Sequence, residues 1–121
     1  MIKQLMHVAL RVADIQRART FYEGVLGFEP SANRPNLSVA GIWYECGSVQ
    51  LHLLGSTQAL FTCEVLPHPG QEAHIAFAVA HIELAKHALQ QAGIPFVMSR
   101  SGRKALFCRD PDGNVLELAE A

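Results

Sequence analysis

The sequence predicts an α+β protein made of two βαβββ repeats that form an open barrel of mixed sheet. Three observations predict it. The stretch HVALRVADI at residues 7–15 returns as HIAFAVAHI at 74–82, with five of nine positions identical at an offset of 67 residues. Each copy leads into a helical apolar pattern stopped by a glycine, Gly27 in the first half and Gly93 in the second. Three short strand-like runs follow each helix. At 121 residues the chain has the length of one domain, with repeats at about 1–55 and 73–121.

The elements follow in order. Alternating and branched apolar residues mark a strand over Gln4–Val12. Asp14 is a helix N-cap, and Ile15, Ala18, Phe21, Tyr22, Val25 and Leu26 recur at three- and four-residue spacing to Leu26. A short strand at Phe28–Ser31 precedes the loop Asn33–Ser38, where Pro35 and two Asn favour turns. Strands Ile42–Cys46 and Val49–Leu54 are joined by the tight turn Gly47-Ser48. Residues 55–72 connect the halves. The order then repeats: strand His74–Val79, helix Ile82–Ala92, and strands Phe96–Ser99, Ala105–Arg109 and Val115–Glu120. Asp110-Pro-Asp-Gly-Asn makes the last turn.

Half the residues are hydrophobic and the formal net charge is -1. A near-neutral chain without a basic stripe is a poor partner for nucleic acid or an anionic membrane. Nothing approaches the ~20 apolar residues of a spanning helix. Cys46, Cys63 and Cys108 are odd in number and lack CxxC spacing, so they read as reduced thiols in a cytoplasmic protein.

The repeat also places metal-ligand-type side chains in matched pairs. His7 falls on His74, and the same offset carries Gln50 onto Glu117. A pseudo-twofold relation between the halves would bring these four together. Imidazole nitrogen with carboxylate and amide oxygen suits Ni, Zn, Mn, Co or Fe. His52 is the rival to Gln50, since strand residues two apart share a face. The offset places His52 on Ala119, which favours Gln50 as ligand and leaves His52 to contact substrate. Arg34, Arg100 and Arg103 lie in loop-like segments and could grip an anionic substrate. Trp43 and Tyr44 precede the ligand strand, where one could line a pocket and the other belong to the core. Cys108 reads as an inert thiol, and His68, His81 and His87 as surface residues.

The pattern His-Val-Ala-Leu-x-Val-x-Asp, FYEGVLGF, VQL, His-Ile-Ala-Phe and DPDGNVLEL resembles the vicinal oxygen chelate superfamily over nearly the whole chain. That group holds glyoxalase I, fosfomycin-resistance proteins, methylmalonyl-CoA epimerase, extradiol dioxygenases and bleomycin-resistance proteins. The resemblance implies a glyoxalase-like fold closed around a divalent metal ion, with His7, Gln50, His74 and Glu117 as ligands and a homodimer as a common assembly. It implies a lyase or isomerase of glyoxalase I type acting on a small oxygenated substrate that chelates the metal, with Glu117 as proton shuttle. The alternative is a non-catalytic drug- or metabolite-sequestering protein of bleomycin-resistance type, whose members generally lack metal ligands. A fosfomycin-resistance-like transferase matches at His7, His74 and Glu117 but usually carries Thr two residues after the first His, where this chain has Ala9. Extradiol dioxygenases are usually longer, with added His and Tyr residues around the iron.

Overall fold

The structure, a computed structural model, describes residues 1–56 and 65–121. The chain folds as two compact units, Met1–Phe61 and Thr62–Ala121. In the first, β1 (His7–Val12) leads through α1 (Ile15–Arg19) and a π-helical turn (Thr20–Val25) to β2 (Glu29–Pro30), β3 (Gly41–Cys46) and β4 (Val49–Gly55). In the second, β5 (His74–Val79) leads through α2 (Ile82–Gln91) to β6 (Phe96–Met98), β7 (Ala105–Arg109) and β8 (Val115–Glu120). The sheets are ordered β1-β4-β3-β2 and β5-β8-β7-β6. In each, the first strand runs parallel to the last and the other pairings are antiparallel. The expected α+β class and the βαβββ order of each half are what the chain adopts.

Most boundaries agree with the sequence reading to within a residue. The exception is β1, which begins at His7 rather than Gln4, although the carbonyl of Met6 already accepts from Gln50 N–H at 3.0 Å. Asp14 caps α1 as its spacing requires: Oδ1 accepts from Gln16 N at 2.9 Å and Arg17 N at 3.2 Å. His81 holds the matching place before α2 but makes no side-chain cap. Glu120 does that work from β8, where its Oε2 accepts from Ile82 N at 2.9 Å. That bond is the first cause holding the Glu120 carboxyl below its usual range. Gly27 and Gly93 take φ of 76° and 69° at the helix ends, where a side chain would be strained.

The helix of each unit covers one face of its sheet. On β4 that face carries Leu51 and Leu53, and on β8 Leu116 and Leu118, all four buried. Tyr44 lies on the same face of β3, fully buried, and its hydroxyl donates to Glu23 at 2.8 Å, with Arg19 pairing Glu23 from one helical turn away. Burial, then the Glu23 bond, raises the Tyr44 pKa, so the phenol stays a donor. Strand alternation sends the other side chains to the opposite face, where Gln50, His52 and Glu117 stand. The hairpin before Glu117 is set by Asp110, whose Oδ1 accepts from Asp112 N and Asn114 N at 2.9 Å each, with Gly113 at φ 86°.

Two expectations are corrected. His68 is not a surface residue. Only 6% of it is exposed: Nδ1 accepts from Gly70 N at 3.0 Å, Nε2–H donates to Met98 O at 3.2 Å, and the ring meets Phe107 edge-on. The second correction concerns the repeat. Strand register puts His7 opposite Gln50 but His74 opposite Val115, while Ala9 faces His52 and Ala76 faces Glu117. Glu117 is therefore the counterpart of His52, not of Gln50. The offset of 67 that relates β1 to β5 has become 65 at β4 and β8.

The drift has a physical source. Asp14 and Gly27 are thirteen positions apart, whereas His81 and Gly93 are twelve apart. The additional residue is absorbed by the π-helical turn, where Leu26 N donates to Phe21 O five residues back at 3.1 Å. The connections to β3 and β7 differ by two further residues, and the longer Asp110–Asn114 turn restores one.

Candidate functional site

In the first unit, three rings stack across adjacent strands on the face away from the helix. Trp43 lies on His52 with centroids 4.0 Å apart and planes 1° apart, and His52 lies on His7 at 4.1 Å and 12°. Register places Trp43 directly opposite His52. Gln50 sits beside this ladder and joins two partners. Its Nε2 donates to Glu45 Oε1 at 2.9 Å, and its Oε1 accepts from His52 Nε2–H at 2.9 Å. The amide thereby fixes the His52 tautomer, leaving the Nδ1 lone pair for a ligand. Burial, followed by the charges of His7 and Arg34, lowers the His52 pKa, so the ring is held neutral.

The second unit builds its cluster from ionic groups. His74 Nδ1–H donates to Glu72 O at 2.7 Å, and Nε2 stands 3.2 Å from Glu117 Oε2. A nitrogen and a carboxylate oxygen at that distance are joined by a proton or by a cation between them. Donor atoms ~2.0–2.2 Å from one metal ion fall about 3 Å apart, so this pair fits a divalent cation by chemistry and by spacing. The other Glu117 oxygen, Oε1, accepts from Arg103. Phe107, directly opposite Glu117, presents its ring to His74 edge-on at 5.2 Å. Among the described residues, no three His, Cys, Asp or Glu side chains stand together as one ready cluster.

Of the residues the sequence nominates, the structure brings His7, Gln50 and His52 together within the first unit, and His74 and Glu117 within the second. Trp43 joins the first group and Arg103 the second. Arg34 is turned to its own loop, its Nη2 donating to Val39 O at 2.7 Å, with Nε buried and no described hydrogen-bond partner. Arg100 is exposed. Sequence reasoning missed Glu45 and Glu72. The signal for Glu45 is its place two strand positions after Trp43, on the same face. Glu72 acts through its backbone carbonyl, for which a side-chain pattern carries no signal.

Cys108 is buried, and burial, then Asp110, pushes its thiol up to about 11, in keeping with an inert cysteine. Cys46 is half-buried and free, and Cys63 lies outside the described residues. Among the described residues, no helix is long and apolar enough to cross a membrane.

The family model of the Glyoxalase/Bleomycin resistance protein/Dioxygenase superfamily matches residues 4–118. The chain belongs to that superfamily. It is 31% identical to glutathione transferase FosA of Serratia marcescens, over 98% of this chain and 81% of that protein. It is 27% identical to Glyoxylase I 4 of Arabidopsis thaliana, over 97% of this chain and 70% of that protein. The glyoxalase family protein from Enterococcus faecalis superposes with a TM-score of 0.69 at 31% identity, covering 98% of each chain. The two βαβββ modules thus form the glyoxalase-like α+β fold. The superfamily binds small molecules and is commonly metal-dependent.

Proposed function

We propose that the protein is a divalent-metal-dependent lyase or isomerase of glyoxalase I type, acting on a small oxygenated molecule that offers two adjacent oxygens. His7, His74 and Glu117 are proposed as ligands. For the fourth place the register favours His52 over Gln50, because His52 is the positional counterpart of Glu117. Gln50 then orients His52 through its side-chain amide.

The observation that carries the reading is His74 Nε2 standing 3.2 Å from Glu117 Oε2 while Nδ1 is tied to Glu72 O. When bound, a divalent ion supplies Lewis-acid polarisation of the substrate oxygens. In this reading Glu117 takes a proton from a C–H beside a carbonyl and returns it to a neighbouring atom. His52 is held in one tautomer throughout, and Trp43 shields its outer face. A homodimer in the cytoplasm completes the proposal; light scattering tests the assembly.

The first test is elemental analysis of protein purified without chelators. It should find about one metal per chain, and NMR in D2O should show deuterium exchange at the acidic carbon of a hydroxy- or keto-carbonyl panel. Glu117→Gln should abolish the exchange. Absence of metal, with no thermal stabilisation on adding Ni, Zn, Mn or Co, would overturn the reading in favour of a sequestering protein. A second reading, a thiol transferase, is favoured by the 31% identity to FosA. Consumption of glutathione with a fosfomycin-like epoxide would establish it.

A further inference from the structure

Arg103 sits in the loop between β6 and β7. The loop is fastened by its own serines. Ser99 Oγ and Ser101 Oγ share a hydrogen bond at 2.8 Å, and Ser101 N donates to Ser99 Oγ at 3.2 Å. Ser101 Oγ then accepts from both the Arg103 backbone N–H and Nε at 3.3 Å. Gly102 at φ 80° makes the bend, and Ser99 N donates across the loop to Ala105 O at 2.9 Å. The result is a guanidinium that reaches Glu117 with its Nη2 while its side chain remains 62% exposed.

An exposed arginine on a surface carboxylate would be an ordinary ion pair of little worth. Glu117 is different, because its side chain is only 6% exposed. A buried carboxylate needs a partner for each oxygen. Among the described residues Oε1 has Arg103 and Oε2 has only the His74 ring. Arg103 Nη2, bonded to Oε1, therefore leaves Oε2 as the oxygen that faces Nε2.

We propose that Arg103 is a positioning residue that holds Glu117 monodentate, so that Oε2 alone is presented beside His74 Nε2 to a divalent cation. The inference rests on the metal site proposed above. It assigns the Ser99–Lys104 loop to metal binding through Glu117 and gives Arg103 no contact with the ion. Partners that orient a metal ligand typically contribute ~10–100-fold in affinity.

The test uses the full chain and Co(II) alone as probe, with affinity from chelator competition and geometry from the visible absorption spectrum. Arg103→Ala should weaken Co(II) binding by ~10–100-fold and lower the band intensity as Glu117 becomes bidentate. Arg103→Lys, which keeps one donor, should recover most of the affinity and the wild-type spectrum. Ser101→Ala should show a smaller loss in the same direction. Wild-type affinity and spectrum in Arg103→Ala, or tighter binding there, would overturn the role while leaving the site intact. Arg103→Lys no better than Arg103→Ala would also overturn it. No Co(II) binding by the wild type would bring down the site itself and the inference with it.

Discussion

The two units share a buried face and differ on the other. Against the helices, Leu51 and Leu53 of β4 correspond by register to Leu116 and Leu118 of β8, the same residue type at the same depth. On the far face, His7 and His74 correspond, but everything around them differs. His52 stands where Glu117 stands, Trp43 where Phe107 stands, and Gln50 where Val115 stands. The first unit orients its imidazoles by stacking and an amide, the second by a carbonyl, a carboxylate and a guanidinium. Packing limits what a helix-covered face accepts, because a change of one methylene is felt there. The far face is held by polar contacts rather than by a helix, and there the two copies carry different groups: imidazoles, an indole and an amide in one, an imidazole, a carboxylate and a guanidinium in the other.

That comparison can be broken first at the shared face. Leu51→Ala and Leu116→Ala should each cost about 2–5 kcal/mol in urea unfolding, with closely similar values. A cost confined to one of the two would mean that the cores are not equivalent. The differing face is sharpened by two substitutions in the first unit. His52→Ala should lose more than ~100-fold in Co(II) affinity, whereas Gln50→Ala, which only releases the ring, should lose about tenfold. The reverse order would return Gln50 to the ligand place. The smallest effect compares the helix starts. Asp14→Ala should cost about 1 kcal/mol, because it removes a side-chain acceptor from two backbone donors. His81→Ala should stay within ~0.5 kcal/mol, since Glu120 already satisfies the first amide of α2. Thermal melts of the pair would measure the difference.

The architecture was legible because its signals are local. Strand alternation, the Asp14 cap, the stops at Gly27 and Gly93 and the DPDGN turn each lie within a few residues of what they decide. The pairing of the site residues was not legible in the same way. The repeat signal is strong only across β1 and β5 and the helix starts, and carrying its offset forward assumes equal spacing downstream. One residue taken up in the π-helical turn and a net one in the later connections break that assumption, and the sequence marks neither event. His68 was misread for a related reason. Its position between Pro67 and Pro69 suggests an exposed connection, but its ring is pulled inward by Gly70 N–H, the Met98 carbonyl and Phe107. Arg103 stands out in its loop, but its partner Glu117 lies fourteen residues away, beyond the reach of a local pattern.

The aromatic ladder of the first unit has an optical counterpart. Trp43 is the sole tryptophan, and Tyr22 and Tyr44, the two tyrosines, lie in the same unit; the second half carries no residue absorbing near 280 nm. Circular dichroism near 280 nm and tryptophan fluorescence therefore watch one half of the molecule, while the far-ultraviolet signal watches both. A melt followed at the two wavelengths becomes a direct measure of whether the halves come apart together, with no label introduced.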